Sequence, residues 1–286
     1  MIKKQHGVTL IELMIGMILG LSLVAGIGSL FIQSQKSFRL QQNLSDMTDD
    51  AAFVLEDLAK AMLLAGYSKD GTKNYPSETN AVFDISGSPV VPAINFNTNN
   101  EFIYGADEAS NNGKGDQLVY RFKLSDLTEL DNTTCTSFTE LEAIAAVGKT
   151  ITVRLYKKYD SDLESYILYC KPAVDNVPKD AQPLISNLEK LEFRYGVKVK
   201  AYSPTDATKR MPENDTFYYT DATTVTSGNQ WQNVYAIKVF LVLRSADNNL
   251  TRTKLKYTVD GVEITATDNR LYKVFTKTIY LRTNDQ

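Results

Sequence analysis

The sequence predicts an α+β fold in which one long N-terminal α-helix packs on a C-terminal antiparallel β-sheet domain. An apolar run near the N-terminus continues into a helix-spaced pattern, whereas the rest of the chain is divided into short alternating runs. The chain has 16 Tyr and 12 Phe residues, which favour half-buried strands. Its 286 residues, of which 43% are apolar, suffice for one sizeable core or two smaller ones.

The apolar run extends from Val8 to Ile32 and contains a single ionisable residue, Glu12. As a helix it would be about 37 Å long, which is enough to cross a bilayer. A cleavable secretory signal has an apolar core of roughly 7–15 residues, so this run is too long for that class. We therefore expect a leader at residues 1–7 and a transmembrane half of the helix at residues 8–32.

The helix is predicted to continue through an amphipathic half, residues 33–66. Apolar side chains recur there at the spacing of one helix face. Gly66 is expected to close the helix in the left-handed conformation, because it has no Cβ. The apolar positions are Phe38, Leu40, Leu44, Met47, Ala51, Val54, Leu55, Leu58 and Met62.

Residues 67–286 are predicted to form a strand-rich globular domain. Short alternating runs are separated by clusters of Asn, Gly, Asp, Ser and Pro, which favour turns. Asp260-Gly261 is a two-residue hairpin signal. Residues 95–116 and 201–233 are expected to be excursions from the sheet. The strand candidates are residues 117–123, 150–157, 165–171, 190–200, 234–244 and 271–282, with a hairpin at 254–267.

Composition excludes several classes of function. A formal net charge of −3 implies no basic surface for nucleic acid. His6 is the only histidine and lies in the expected leader, which excludes histidine-dependent catalysis and histidine-ligated metals for the residues after it. The two cysteines lack the spacing of metal ligands. We expect no enzyme activity, no cofactor and no metal site.

Residues 3–13, KKQHGVTLIEL, resemble the signature of the type IV prepilins. In that family a short basic leader ends in Gly, and a T-L-I-E sequence opens an apolar helix. The resemblance implies that a membrane-embedded prepilin peptidase cuts after Gly7 and methylates the new amino-terminal residue, Val8. Lys3 and Lys4 would supply the charge of the leader. Val8 departs from the family's usual pattern, in which Phe is commoner at this position.

The resemblance also implies a role in subunit assembly for Glu12. A carboxylate placed centrally in a bilayer costs about 2.5 kcal/mol or more, so it should not persist without a partner. The amine of Val8 that cleavage creates is cationic, and in a filament it can lie beside Glu12 of a neighbouring subunit. We expect the carboxylate to be poorly satisfied while the subunit is still in the lipid. The alternative is an acidic residue near the lipid interface, where the penalty is small.

Further stretches resemble the PilW-type minor pilins, and they are less specific than the leader. They imply a pilin-like fold and a small complex that primes pilus assembly, lies at or near the tip with other pilins and a PilY-type adhesin, and supports adhesion and twitching. Before assembly such a subunit is a single-pass inner-membrane protein with a cytoplasmic N-terminus and a periplasmic domain, and afterwards it is extracellular in the pilus. The stretches are residues 58–62, 65–67, 182–184, 191–197, 243–245 and 280–282.

Cys135 and Cys170 would be exported with this domain, and an oxidising compartment favours a disulfide between them. The bridge would close a loop of about 36 residues and stabilise the fold by about 3–4 kcal/mol. Two reduced, buried thiols are the alternative.

An acidic run at Asp160, Asp162 and Glu164 suggests calcium only loosely. The run lacks the Gly and the distal Glu of an EF-hand loop. We expect a solvated turn there instead, because Asp and Ser commonly serve in turns.

Two other functions compete with the pilus assignment. A minor pseudopilin of a type II secretion system has the same leader, Glu and helix, so the motif does not separate the two systems. Loss of surface pili on deletion would indicate a pilus, whereas loss of exoprotein release would indicate secretion. A membrane-anchored periplasmic enzyme would need a cleft with paired carboxylates, and the sequence marks no such pair.

Overall fold

The computed structural model describes residues 9–68, 96, 101–107, 115–123, 135, 148–175, 177–198 and 217–281. The leader and Val8 lie outside these residues. The chain divides into two compact units, residues 1–46 and 47–286.

Helix α1 extends over Leu10–Met62, and its turns up to Asp46 belong to the first unit. By length and composition it is able to cross a membrane, and the side chains of its most apolar window are not buried. Hydroxyl groups in this part bond back to the helix, with Ser22 Oγ donating to the carbonyl of Ile18 at 2.9 Å. Such bonds let a polar side chain remain in apolar surroundings.

In the second unit the last turns of α1 bury one face. The buried side chains recur every three or four residues, which is the spacing of one face of an amphipathic helix. Each fully buried Val or Leu contributes about 1.5–3 kcal/mol. The buried apolar positions are Met47, Ala51, Val54, Leu55, Leu58, Ala61 and Met62.

Helix α1 ends at Met62, a few residues before the predicted end, and a tighter turn continues to Gly66. In this turn the N–H of Leu64 donates to the carbonyl of Ala61, three residues back instead of four. Gly66 adopts a φ of 76°, the left-handed conformation expected of it. Its N–H donates to the carbonyl of Arg121, which ties the end of the helix to a strand.

The strands of the second unit are antiparallel and form two main sheets and a hairpin. In the first sheet the order is β1-β2-β3-β4-β5, with β6 also pairing with β4. These strands are β1 Ile103–Ala106, β2 Gln117–Lys123, β3 Thr150–Asp160, β4 Ser165–Val174, β5 Val177–Pro178 and β6 Gln182–Ile185.

The second sheet has the order β12-β9-β7-β8, and among the described strands β10 and β11 pair only with each other. A short helix, α2, and a 3₁₀ turn at Trp231–Asn233 connect β8 to β9. The elements are β7 Leu188–Lys198, β8 Phe217–Thr220, α2 Ala222–Ser227, β9 Val234–Arg244, β10 Lys256–Val259, β11 Val262–Thr265 and β12 Tyr272–Tyr280.

The predicted fold class, a long N-terminal helix with an antiparallel sheet domain, is confirmed. Strands β2 and β9 have the predicted bounds, and β3, β4, β7 and β12 differ only at their ends. The Asp260-Gly261 turn joins β10 to β11, with φ angles of 47° and 82°. The prediction that residues 95–116 and 201–233 are excursions from the sheet was partly wrong. The first range contains β1, and the second contains β8 and α2.

An aromatic cluster holds the first sheet against the second. The ring of Trp231 lies 5.0 Å from that of Tyr104 in β1 and 4.9 Å from that of Tyr195 in β7. Asp107, at the end of β1, accepts hydrogen bonds from the backbone N–H groups of Ala222 and Thr223 at the start of α2. Strand β1 and helix α2 are short, and their flanking residues are polar. Contacts with residues distant in sequence therefore stabilise them.

Gly105→Ala should destabilise the domain by about 1–3 kcal/mol, because an added methyl group overpacks a filled core. Its Cβ would overlap the Tyr195 hydroxyl oxygen and lie 2.5 Å from Cζ of the same ring. Thermal unfolding of the full chain in detergent, followed by circular dichroism, should show a lower midpoint.

Tyr195→Phe is the matched control for this variant. The Tyr195 hydroxyl has no hydrogen-bond partner among the described residues, so its removal alone should change the midpoint little. In the double variant it should recover part of the loss. A wild-type midpoint for Gly105→Ala would contradict the packing described for this cluster.

Candidate assembly site at the start of the helix

Thr9 precedes the first turn of α1 and caps it. The backbone N–H of Glu12 donates to Thr9 Oγ1 at 3.4 Å. In return, Glu12 Oε2 accepts hydrogen bonds from the backbone N–H and from the hydroxyl of Thr9, both at 2.9 Å. This reciprocal arrangement is a capping box, in which two N–H groups at a helix start are satisfied by side chains.

The capping box corrects one expectation about Glu12. The carboxylate is not poorly satisfied within the single subunit, because Thr9 supplies two donors to it. Both bonds reach Oε2, so Oε1 is the carboxylate oxygen that faces away from the cap. The expectation failed because the T-x-x-E pattern was interpreted only as part of the prepilin signature, although the same spacing predicts a cap.

The surroundings of Glu12 are apolar and exposed in the single chain. Leu10 is 78% exposed and Ile11 is 66% exposed, and large apolar side chains continue at this level to Ile32. A contiguous apolar surface of this kind marks a site that lipid or other protein covers. The start of α1 therefore combines a locally bonded carboxylate with an uncovered apolar surface.

The remaining predicted residues of the processing site are Lys3, Lys4, Gly7 and Val8. They lie outside the described residues, so their part in leader charge, cleavage and methylation stays a prediction.

The structure brings Cys135 and Cys170 together. Both are buried as free thiols, and they lie close enough for Cys170 to affect the pKa of Cys135. Burial, followed by the contact with Cys170, raises the pKa of Cys135 well above its ordinary value. Cys170 lies on β4, and the ring of Tyr120 on β2 is buried beside both thiols. The disulfide between these neighbouring thiols stays a prediction.

The acidic run after β3 forms a turn, as expected. Asp160 Oδ1 accepts hydrogen bonds from the backbone N–H groups of Asp162 and Leu163, at 2.9 and 3.1 Å. Glu164 closes the turn with a φ of 45°. Within the described part of the chain, no group of three or more His, Cys, Asp or Glu side chains is arranged to hold a metal ion.

Comparison with known families gives two matches on this chain. Residues 2–28 match the prokaryotic N-terminal methylation motif, and residues 158–283 match type IV pilus-assembly protein W. A type IV-like pilin from Thermus thermophilus has a solved structure with a TM-score of 0.42 and 11% sequence identity, over 83% of this chain and 97% of that chain. No curated protein sequence matches this chain.

The two family matches fall on different parts of the molecule. The methylation motif covers the Thr9–Glu12 cap and the first apolar turns of α1, and the second family covers the strands from the end of β3 to β12. The second family is one of structural pilus proteins and not of enzymes. The chain therefore carries the N-terminal methylation motif of type IV pilin-like proteins and, over residues 158–283, a domain similar to type IV pilus-assembly protein W.

Proposed function

We propose that this chain is cut after Gly7, methylated on Val8 and inserted into a type IV pilus through α1, where it helps to initiate assembly at or near the tip. One observation carries the proposal: a carboxylate held by a capping box opens an exposed apolar helix. Lys3 and Lys4 support cleavage, because a short basic leader would stay on the cytoplasmic side of the membrane.

The capping box suggests how Glu12 acts in assembly. In the free subunit Thr9 holds Oε2, and this makes the carboxylate tolerable at the start of an apolar helix. The cationic amine of Val8 from a neighbouring subunit then binds Oε1 without breaking the cap. An ion pair with such added hydrogen bonds is strong in a water-free bundle and fixes the register between helices.

The other parts of the proposal follow from this insertion. Before assembly the chain spans the inner membrane once, with its N-terminus in the cytoplasm and residues 47–286 in the periplasm. Its partners are inner-membrane lipid, the prepilin peptidase, major and minor pilins, and a PilY-type tip adhesin. Through them it supports adhesion and twitching motility.

A minor pseudopilin of a type II secretion system is the competing proposal. The capping box and the apolar helix would serve a type IV pilus and a type II secretion system equally, so the contacts at Glu12 do not distinguish the two systems. The phenotype of a deletion strain separates them: a pilus subunit is needed for surface pili, and a pseudopilin is needed for the release of exoproteins.

We also propose that Cys135 and Cys170 form a disulfide after export. The nearness of the two buried thiols supports it. Oxidation would release two protons and pass two electrons to the thiol oxidant of the compartment. The bridge would tie residue 135 to β4 in the core.

Mass spectrometry of the mature N-terminus tests the processing step. The first peptide of protein taken from sheared fibres should begin with N-methyl-Val8 and should lack residues 1–7. Gly7→Val is the control variant, and it should keep its leader because a β-branched side chain restricts the backbone at the cut. An intact leader on fibre protein would rule out the proposed processing.

Two variants separate the charge of Glu12 from its capping role. Glu12→Gln keeps an acceptor for the cap, since Gln also serves in capping boxes, but it removes the charge. It should lower the amount of the chain in sheared fibres at least tenfold, measured by immunoblot against the total. Thr9→Val removes the hydroxyl and about 1 kcal/mol of helix stability, and should lower incorporation only a few-fold.

Thr9→Ser keeps the hydroxyl and should behave as the wild type. Wild-type incorporation of Glu12→Gln would show that the charge has no part in assembly. A loss in Thr9→Val as large as that in Glu12→Gln would show that the cap, and not the ion pair, is the essential feature.

Alkylation in denaturant tests the disulfide, because both thiols are buried in the folded chain. Unreduced protein from the cell envelope should take up no maleimide label, and reduced protein should take up two. Cys170→Ser should expose one thiol, Cys135, and lower the free energy of unfolding by about 3–4 kcal/mol. Two labelled thiols in unreduced wild-type protein would contradict the bridge.

A further inference from the structure

The loop between β9 and β10 is anchored at both ends and exposed in its middle. At its start, the N–H of Ser245 donates to the carbonyl of Leu271 at 2.9 Å. Further along, the N–H of Thr251 donates to the carbonyl of Asn269 at 3.1 Å. Residues 246–249, between these two anchors, are exposed. The loop is therefore a surface segment that is held to the second unit at two points.

This loop contains an acceptor sequence for N-linked glycosylation, Asn249-Leu250-Thr251. Such a sequence is Asn-x-Ser or Asn-x-Thr, where x is any residue except Pro, and it is used on surface segments of exported proteins. A sequence this short also arises by chance, so the structural setting has to distinguish among the matches. The chain has four matches, which begin at Asn43, Asn132, Asn214 and Asn249.

The structure favours Asn249 over Asn43. Asn43 lies inside α1, where its side-chain amide donates to the carbonyl of Arg39 at 2.9 Å. The amide nitrogen that would accept a sugar is thus engaged in a regular helix. Asn132 and Asn214 lie outside the described residues.

Asn249 has the backbone of a turn residue. Its φ is 57°, in the left-handed region that Asn adopts more readily than most residues. Its N–H donates to Asn248 Oδ1 at 2.8 Å. Because Asn249 is exposed, a sugar on its amide would extend into solvent and leave the packing of the core unchanged.

The other two residues of the acceptor sequence are held against the domain. Leu250 is 8% exposed, and Thr251 Oγ1 donates to the carbonyl of Asn269 at 3.0 Å. Since the acceptor sequence requires a hydroxyl residue, a transferase has to reach the Thr251 hydroxyl. It therefore acts before Thr251 docks, or after the loop opens and breaks these hydrogen bonds. Surface loops open at a low cost in free energy.

A carboxylate accompanies this acceptor sequence. Asp247 lies two residues before Asn249 and is exposed. An exposed acidic side chain gives an enzyme a charged group to recognise, in addition to the amide and the hydroxyl. The other three matches have Gln41, Leu130 and Pro212 at the corresponding position.

We propose that Asn249 is an N-glycosylation site, modified by a membrane-bound transferase that uses a lipid-linked oligosaccharide diphosphate as the sugar donor. The amide nitrogen of Asn249 forms a bond to the anomeric carbon of the sugar, and the bond from that carbon to the diphosphate oxygen breaks. The lipid diphosphate leaves with the electron pair, and the amide releases one proton. The inference rests on the proposed function, because export places the loop outside the cytoplasm.

Mass spectrometry of one tryptic peptide tests this site. Arg244 and Arg252 flank and end the segment 245–252, so trypsin releases the acceptor sequence within a single peptide, SADNNLTR. In the mature full chain from the cell envelope or from sheared fibres, this peptide should carry the mass of a sugar. Fragmentation should release sugar ions and map the link to Asn249.

Four variants of the full chain test the chemistry of the acceptor. Asn249→Asp removes the amide nitrogen but keeps a residue that tolerates the left-handed conformation, so it should abolish the modification without loss of mature chain. Thr251→Ala should lower the modified fraction at least tenfold, whereas Thr251→Ser keeps the hydroxyl and should retain most of it. Asn248→Gln, one residue away, is the matched control and should leave the modified fraction unchanged.

Two results would overturn the glycosylation site. One is an unmodified 245–252 peptide in mature wild-type chain, and the other is a sugar that persists in Asn249→Asp, because the link would then be to a hydroxyl group. In either case mature chain in the fibres would leave the proposed function standing. Wild-type chain that keeps residues 1–7 and is absent from fibres would instead reject the proposed function and, with it, the glycosylation site.

Discussion

The hydrogen bonds between Thr9 and Glu12 hold the carboxylate on which the proposed assembly contact of α1 depends. A carboxylate at the start of an apolar helix is costly in lipid unless donors surround it, and Thr9, the residue before the helix, supplies two of them. In the proposed mechanism the subunit is therefore stable in the membrane before assembly, and the incoming amine adds a partner to Oε1. The proposed driving force is the new ion pair in an apolar bundle, and not the rescue of an unsatisfied acid.

The second unit follows from a different constraint, because its core must be built from segments far apart in sequence. The last turns of α1 bury an apolar face, and Trp231 packs between Tyr104 and Tyr195 to join two sheets. Gly105 has no side chain because the Tyr195 ring occupies that space. The thiols of Cys135 and Cys170 lie in this core, so their oxidation would strengthen the second unit.

Much of the fold was predictable from periodicity. Strands β2 and β9 were predicted with their observed bounds, because alternating apolar residues end there at clear turn signals. Strands β1 and β8 were missed, since each has four residues within polar surroundings and depends on tertiary partners. The same limit applies to Tyr219 and Gly196, which are aligned only by the pairing of β8 with β7, and no local pattern records that pairing. The Thr9 cap, in contrast, was visible in the sequence and was overlooked.

The central claim is that the Val8 amine of one subunit binds Glu12 of the next while Thr9 keeps its cap. A structure of the assembled fibre containing this chain, at a resolution that shows side chains, measures it most directly. The account predicts the Val8 nitrogen within ion-pair distance of Glu12 Oε1, with Glu12 Oε2 still bonded to Thr9. A Glu12 carboxylate that faces only lipid or water in the fibre, with no amine beside it, would contradict the account.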